Sequence, residues 1–216
     1  MNKICLFIGL SLFVISCNNS GKKNIQVDSL TNRIDSIISD QDVVNPLRDS
    51  ILLAQTREII SAFKEGNYDS ISQFVHPQEG VRFSPYSSIS IKKDVLVKAE
   101  DVKAWKDKKK QAKLEWGSFD GNDKPINLTP DEYVKRFVYD VNFLKADSIK
   151  INEFIGGGNT LNNLTEIYPG SSFVEYYYPG DNKKNAAHNW RSLRLVYKFK
   201  SGKYFLVGVV HDEWTI

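Results

Sequence analysis

The sequence predicts an α+β fold in which N-terminal helices pack on a curved, mostly antiparallel sheet. From residue 45 onward, apolar residues recur at helical spacing, and helix-starting and helix-ending residues flank them. The last third of the chain carries β-prone stretches at 173–178, 193–199 and 204–210. Ser201-Gly202 can turn the chain between the last two. Strands joined by short turns pair antiparallel, so the three stretches should form one antiparallel sheet.

The first helix of the domain should begin at Asn45-Pro46, because Asn accepts a hydrogen bond from an unpaired backbone N–H and Pro suits the first helical position. Gly66 should end it in the left-handed conformation. A second short helix at about 69–75 should stop at His76-Pro77, since the residue before a proline avoids helical geometry. The buried face of the first helix should hold Leu52, Ile59, Ile60 and Phe63.

The middle of the chain mixes short strands and helices. Strands are expected at 81–83 and 95–97, and a surface helix carrying Val102 and Trp105 within 100–113. Thr129-Pro130-Asp131-Glu132 has the residues of a capping box with Pro at the first helical position, so another helix should start there. The basic run in the 100–113 stretch predicts a solvated helix face rather than a site for an anionic partner. This run comprises Lys106, Lys108, Lys109, Lys110 and Lys113.

The C-terminal strands differ in pattern. Between residues 192 and 199, apolar and more polar residues alternate, which predicts a strand with one buried face. The apolar set is Leu193, Leu195, Tyr197 and Phe199, and the other set is Ser192, Arg194, Val196 and Lys198. The Gly156-Gly157-Gly158 run lies in a polar loop without the strand and helix that a phosphate-binding loop needs, so no phosphate site is expected.

Residues 1–16 have the order of an export signal. Lys3 is followed by the uncharged apolar stretch 4–15, which is shorter than the roughly 20 residues of a spanning helix. Val14-Ile15-Ser16-Cys17 resembles a bacterial lipobox, which implies that Cys17 is acylated and becomes the first residue of the mature protein. A plain signal peptide and an uncleaved anchor are the alternatives. By resemblance, Asn18 after the Cys suits the outer membrane, and the periplasmic face is favoured.

The sequence divides the rest of the chain into a tether and a single domain. Residues 17–45 form the tether, with a short amphipathic helix suggested by an apolar stripe from Val27 to Val44. Residues 46–216 form the α+β domain. Cys5 leaves with the signal and Cys17 is acylated, so no thiol remains, and the three His lack metal-ligand spacing. No metal or cofactor is therefore expected. Loss of Lys3 lowers the formal net charge from +3 to +2, which argues against a nucleic-acid partner.

Two resemblances extend the prediction. The order of elements over 46–216, and the stretch from Ala62 to Pro77, resemble the cone-shaped nuclear transport factor 2-like fold. The stretches 76–86, 116–121 and 211–216 are similar to an uncharacterised bacterial envelope-lipoprotein domain. The first resemblance implies a sheet wrapped around an open interior. The second implies a compartment and a fold, and it brings no catalytic residues.

An open cone would gather polar and aromatic side chains into a ligand pocket. Enzymes of the cone fold use a carboxylate or His as base, so Asp212, Asp120 or His211 could play base and Tyr86 or Tyr177 could donate. A non-catalytic module that binds a small molecule or an envelope protein leads, followed by a structural or complex-assembly lipoprotein. An isomerase, dehydratase or hydrolase comes third. The alternative is a filled interior, in which Trp and Tyr side chains fill the cone and His76 caps a helix end. The candidate pocket residues are His76, Arg82, Tyr86, Trp116, Trp190, Arg191, His211, Asp212 and Trp214.

Asp212 carries the sharpest expectation. Along a strand Asp212 shares a face with Trp214. Trp214 is the largest apolar group near the C-terminus and should lie inside, so Asp212 should be buried as well. Burial raises the pKa of a carboxyl unless an Arg compensates, and Arg82, Arg191 or Arg194 could be that partner. If Asp212 is paired, Asp212→Asn should destabilise the fold by a few kcal/mol by stranding a buried Arg. If it is unpaired and faces a cavity, it is the best general-base candidate.

Overall fold

The computed structural model describes residues 46–180 and 186–215. The predicted export signal, the acylation site at Cys17 and the tether at 17–45 lie outside the described residues, and so does Asn45. None of the helices in the described ranges has the length and apolarity needed to cross a bilayer.

Two helices open the described chain much as the sequence predicts. Helix α1 (Pro46–Glu65) buries Leu52, Ile59, Ile60 and Phe63, and Gly66 follows it with a φ of 67°. That left-handed conformation costs little only for glycine. Helix α2 (Tyr68–Phe74) is capped by Asn67, whose side chain accepts from the backbone N–H of Ser70 at 3.1 Å. Both helices pack into the core on one face of the sheet.

The sheet has six strands in the order β2-β1-β8-β7-β6-β5. All neighbours are antiparallel except β1 and β8, which run parallel with Phe83 opposite Val209. The two end strands do not pair with each other, so the sheet stays open within the described ranges. The predicted α+β class with a mostly antiparallel sheet is confirmed. The strands are β1 (Val81–Ser84), β2 (Val95–Val97), β5 (Ser148–Ile151), β6 (Ser172–Tyr178), β7 (Arg191–Lys200) and β8 (Lys203–Glu213).

Short elements fill the middle of the chain. Thr129 forms the predicted capping box with Glu132 and starts helix α4 (Pro130–Tyr133). This helix continues as a π-helical turn over Val134–Val138. These elements are α3 (Ala99–Ala104), a 3-10 turn (Lys108–Lys110), the hairpin of β3 (Leu114–Ser118) and β4 (Pro125–Leu128), α4 (Pro130–Tyr133) and a 3-10 turn (Phe143–Lys145). Helix α5 (Leu164–Ile167) precedes β6, and α6 (Ala186–Asn189) precedes β7.

The prediction that one face of β7 is exposed is wrong over Ser192–Tyr197, where every residue is buried. The helices cover one face of the sheet. A second apolar cluster covers the other face, and it includes Leu164, Tyr168 and Val196. The chain between β5 and β6 supplies this cover. A buried polar side chain needs partners, so Arg194, with no exposed surface, must find them inside the protein.

Candidate functional site

The residues of the predicted pocket lie in separate parts of the structure. Trp116 is fully buried, stacks on Tyr133 at 4.0 Å between ring centroids and donates its indole N–H to the carbonyl of Leu128. Phe83 and Trp105 pack edge-on or tilted against Trp116. Stacked aromatic rings fill the space around Trp116, so the structure places no open interior there.

His76 and Arg82 hold backbone rather than face a cavity. The Nδ1 atom of His76 accepts from the backbone N–H groups of Gln78 and Glu79, at 3.3 and 2.9 Å. Burial lowers the pKa of His76, which favours this neutral, accepting form. Arg82 donates to the carbonyl oxygens of Ile91 and Asp94, and so fixes the loop between β1 and β2.

The two C-terminal tryptophans lie near β6 and α6. Trp190 is buried and its ring lies 6.2 Å from that of Tyr177. Trp214 is only partly buried and contacts the edge of the His188 ring at 4.5 Å. Trp214 was expected to lie inside, and this expectation is wrong because the residue is only partly buried. Asp212, on the same strand, is 1% exposed.

Arg191 and His211 do meet, in an ion network at the end of the sheet. The ring nitrogens of His211 face only acceptors: Nδ1 lies 3.1 Å from the carbonyl of Pro85, and Nε2 lies 3.4 Å from Asp140. Asp140 also accepts from Arg191 Nε at 2.8 Å. Burial alone would raise the pKa of Asp140, but His211, 3.4 Å away, and the charge of Arg191 outweigh it and hold that pKa below its ordinary value.

Asp140, His211 and Glu213 present ligand-type atoms within 4.8 Å of one another, which raises the question of a metal ion. Arg191 Nε already lies 2.8 Å from Asp140 and 3.1 Å from Glu213, and Arg136 lies 2.6 Å from Glu213. A guanidinium therefore occupies the position between the two carboxylates that a cation would need. We assign these residues to an ion-pair network.

A second buried network centres on Arg194, which the sequence-based site did not include. Arg194 lies 3.2 Å from Glu175 and 3.1 Å from Asp212, and all three side chains are at most 1% exposed. Ser192 donates to Glu175 at 2.5 Å. Among the arginines considered for Asp212, Arg194 is the partner. Even so, burial raises the pKa of Asp212, against the opposing charge of Arg194.

The triple-glycine loop closes this second network. The backbone N–H groups of Ile155 and Gly156 donate to the two oxygens of Glu175, both at 2.9 Å, and the carbonyl of Gly156 accepts from Arg194 at 2.8 Å. A Cβ at Gly156 would lie 2.9 Å from the Cβ of Ser192. Glycine is therefore needed for the close approach. The loop does bind an anion, but the anion is the chain's own Glu175.

A polar cleft of about 260 Å³ lies beside the end of β1, between the β1–β2 loop and the β3–β4 hairpin. Tyr86 is the member of the predicted pocket that lines it, and Asp120, one of the bases considered, lines it too. His211 lies behind the wall, bonded to Pro85. Stretches 76–86 and 116–121, which carry the lipoprotein resemblance, both reach this cleft. Its lining is Pro85, Tyr86, Ser88, Ser90, Lys93, Asp94, Gly117, Ser118, Phe119, Asp120, Asp123 and Thr160.

Asp94 is the electrostatically unusual residue of this cleft. It is 8% exposed and accepts from the backbone N–H of Ser90 at 2.9 Å. Burial raises its pKa, and nearby Ser84, Ser90 and Arg82 only partly oppose this. The hydroxyls of Ser84 and Tyr133 are buried and make no well-formed hydrogen bond among the described residues. A carboxyl with a burial-raised pKa in a cleft marks a candidate functional site.

Tyr86 and Thr160 frame the same cleft. Burial raises the pKa of Tyr86, so its phenol remains a neutral hydrogen-bond donor and acceptor at neutral pH. Thr160 donates to Asp120 at 3.1 Å and lies 3.1 Å from the hydroxyl of Thr215, which ties the cleft to the end of β8. The described lining holds carboxyl, hydroxyl, amine and aromatic groups and includes neither His nor Cys. Such a set can bind a polar molecule through several hydrogen bonds.

Comparison with known proteins adds little to this geometry. No protein-family model matches the sequence, and no curated protein matches it significantly. The chain is similar to the crystal structure of a DUF4783 family protein from Bacteroides ovatus, with 13% sequence identity and a TM-score of 0.33. That likeness covers 74% of this chain and 94% of the other chain. Identity and TM-score at these levels carry no argument about fold or function.

Proposed function

We propose that this protein is a lipid-anchored component of the bacterial cell envelope whose α+β domain binds a small polar ligand without catalysis. The anchor follows from the lipobox-like run before Cys17, and the outer membrane facing the periplasm is the proposed location. Lipoproteins carry two or three acyl chains, which satisfies the need for more than one chain in stable attachment. The nuclear transport factor 2-like cone and the envelope-lipoprotein family remain part of the proposal.

The cleft at Asp94 carries the binding proposal. Three carboxyl side chains, Asp94, Asp120 and Asp123, line it together with one amine, Lys93. Its volume of about 260 Å³ falls just below the ~300–1,000 Å³ of sites for drug-sized ligands. The ligand should therefore be small, and its polar groups should be hydroxyls or an ammonium that donate to carboxylates.

Binding without catalysis fits the cleft better than an enzyme does. General acid–base catalysis needs a titrating group within hydrogen-bond reach of the reacting atoms, often held by a second side chain. His211 lies behind Pro85, with Pro85 and Asp140 facing its two ring nitrogens. Asp212, another of the bases considered, is paired with Arg194 on the sheet face that the second apolar cluster covers. Asp94 and Asp120 remain, and no His lies beside them among the described lining residues.

A structural or complex-assembly lipoprotein is the second candidate function. The cone resemblance implies a ligand pocket in an open interior. Aromatic rings fill the interior around Trp116, which leaves no such pocket there and favours a structural role. An isomerase, dehydratase or hydrolase ranks third. The structural candidate does not account for a burial-raised carboxyl in the wall of a polar cleft. An enzyme would account for it, but the described lining holds no His that could assist Asp94.

A titration followed by amide NMR tests the binding proposal. Glucose, glycerol, ethanolamine and glycine are added singly to the mature chain, and shifts should map to 85–94 and 117–120. Asp94→Asn should weaken any such binding about tenfold, a loss of ~1.4 kcal/mol for one buried hydrogen-bonding carboxyl. Glu115→Gln, at an exposed position outside the cleft, should leave it unchanged. Lys93→Ala is a second variant within the cleft lining. Because Lys93 is exposed, this substitution leaves the core intact.

Shifts that map elsewhere, or none at millimolar concentration of all four probes, would contradict the cleft as a binding site. The structural candidate would then lead. Turnover of any probe would instead favour an enzyme.

A further inference from the structure

A second depression, larger and more apolar than the cleft, lies between α3 and the β3–β4 hairpin. Its volume is about 550 Å³. Trp105 forms one wall with 7% exposure. The apolar part of the lining comprises Val97, Ala104, Trp105, Ala112, Leu114 and Pro130. We call this depression the Trp105 groove. Apolar surface left open to water is disfavoured, and a groove of this kind commonly marks a contact site.

The Trp105 groove is bordered by the basic run that the sequence predicted to be a solvated helix face. Residues 103–113 contain six lysines and one Asp, and all six lysines are exposed. Only the first part of this stretch is α-helical, and the later lysines lie on a 3-10 turn and a loop. Lys106 and Lys110 line the groove itself.

The present partners of these two lysines hold them weakly. Lys106 lies 3.2 Å from Asp69, and Lys110 lies 2.9 Å from Asp107. Both lysine side chains are more than half exposed, at 54% and 83%. Exposed pairs of this kind contribute little to stability and are screened by salt. Either lysine can therefore turn toward an anion at the mouth of the groove at little cost.

The side chains of Gln111 and Asp101 in the groove already form hydrogen bonds within the protein. Gln111 donates to the carbonyl of Trp105 and to Asp131, and its oxygen accepts from the backbone N–H of Asp131. Asp101 accepts from the backbone N–H of Lys98 at the start of α3. Asp101 and Asp107 line the groove together with Lys106 and Lys110. The groove is positive at its mouth because the bordering run 103–113 has six exposed lysines against one Asp. Its walls are apolar, and the one side-chain amide in its described lining is already bonded.

We propose that the Trp105 groove binds a long-chain fatty acid, with the alkyl chain against Trp105 and Leu114 and the carboxylate at Lys106 and Lys110. An apolar wall with a positive mouth matches one apolar chain with one anionic end. A peptide would leave its backbone amides unpaired in such a groove, and each buried unpaired amide is unfavourable. The proposal stands apart from the polar cleft, which lies elsewhere on the surface.

Fluorescence of a dansyl-labelled fatty acid tests this proposal on the full mature chain carrying Cys17→Ser, so that no acyl chain of the protein competes. Energy transfer from tryptophan to the bound probe should be strong, and dodecanoate should displace the probe. Trp105→Phe should lower the transfer without abolishing it, because Trp116 lies 5.9 Å from Trp105 and remains a donor, while the probe's own anisotropy still reports binding. Dodecanol, which lacks the charge, should displace the probe less well than dodecanoate, by about two- to fivefold for each lysine that pairs with the carboxylate.

Substitutions separate the groove from the rest of the surface. Ala112 is exposed, so Ala112→Glu should leave the fold intact and weaken dodecanoate binding at least about tenfold through repulsion and a smaller apolar wall. Lys106→Ala with Lys110→Ala should weaken it less and reduce its salt dependence. Lys135→Ala, an exposed lysine outside the groove, is the matched control and should change nothing.

Three results would overturn the proposal. Equal affinity for dodecanol and dodecanoate would remove the role of the lysines. Binding that survives Ala112→Glu would place the ligand elsewhere. Sedimentation with phosphatidylglycerol vesicles, but not with phosphatidylcholine vesicles, in the absence of dodecanoate binding would assign the basic run to an anionic membrane surface instead.

Discussion

Replacing Arg194 by Met should destabilise the fold far more than replacing its partner Asp212 by Asn. Arg194 is the cation between two carboxylates, 3.2 Å from Glu175 and 3.1 Å from Asp212, and has no exposed surface. Arg194→Met leaves both carboxylates buried without this cation. Breaking a buried pair from one side costs about 3–5 kcal/mol, and no discount for solvent screening applies at this burial.

Asp212→Asn is a milder change than the sequence alone suggested. A few kcal/mol was expected because loss of Asp212 would strand a buried arginine, but Glu175 still pairs with Arg194 in the variant. Burial already raises the pKa of Asp212 despite Arg194, so ionised Asp212 is a net burden on the folded state. We therefore expect Asp212→Asn to cost less than about 1 kcal/mol at pH 7.

The pH dependence of Asp212 follows from the same shift. Its folded-state pKa is above the unfolded value of about 3.9, so its contribution to stability is fully present below pH ~3.9 and is lost as the pH rises through the folded-state pKa. Asn does not titrate. Relative to wild type, the Asp212→Asn variant should therefore gain stability between pH 4 and pH 7.

Urea unfolding of wild type and variants at pH 7 and pH 4 measures these free energies. Arg57→Met, at an exposed position on α1, is the control and should stay within about 0.5 kcal/mol of wild type. The shared-cation reasoning is refuted if Arg194→Met costs less than about 1 kcal/mol, or if Asp212→Asn costs as much as Arg194→Met.

Three further predictions cover the rest of the chain. Asp140 has a lowered pKa, so its contribution to stability is present above the unfolded-state pKa and is lost as the pH falls through the folded-state pKa. The difference in unfolding free energy between wild type and Asp140→Asn should therefore shrink below pH 4. A difference that stays constant with pH would contradict the network. Cys17→Ala should release the protein from the membrane fraction or block processing, and a fatty-acid label that never reaches Cys17 would end the anchor proposal. A chain starting at residue 45 should melt cooperatively within about 4 °C of the mature chain, a shift worth ~1 kcal/mol; a larger drop would place 27–44 in the core.

Local signals predicted the helices up to α4 and most of the strands, but not the short helices α5 and α6. Pro46, Gly66 and the Thr129 capping box act on the backbone within a few residues, so their effects can be inferred from neighbouring positions. The sequence could not show that β1 pairs in parallel with β8, because that pairing joins residues more than 120 positions apart. The two-sided burial of β7 was missed because the residues that cover its second face lie outside the strand: Leu164 and Tyr168 precede β6, and Ile89 lies in the β1–β2 loop.

The candidate site was harder to predict than the fold. Glu175 and Arg194 each stand alone among apolar or aromatic residues on predicted strands, which was a usable signal for a buried pair once both faces were considered. Asp94 follows two lysines and has the pattern of a surface turn, so nothing local reveals its burial. The sequence analysis named Tyr86 as a possible donor and Asp120 as a possible base, and the structure brings both to one cleft.

The central claim is that Asp94 is the carboxyl through which the cleft meets a ligand. A pH titration followed by carboxyl-carbon NMR measures it directly, with and without whichever probe shifts the cleft amides. We predict that Asp94 titrates above its ordinary value of 3.8, that the bound probe changes this titration, and that Asp140 and Asp212 are unaffected by the probe. A titration of Asp94 at or below 3.8, or one that the probe leaves unchanged, would contradict the claim.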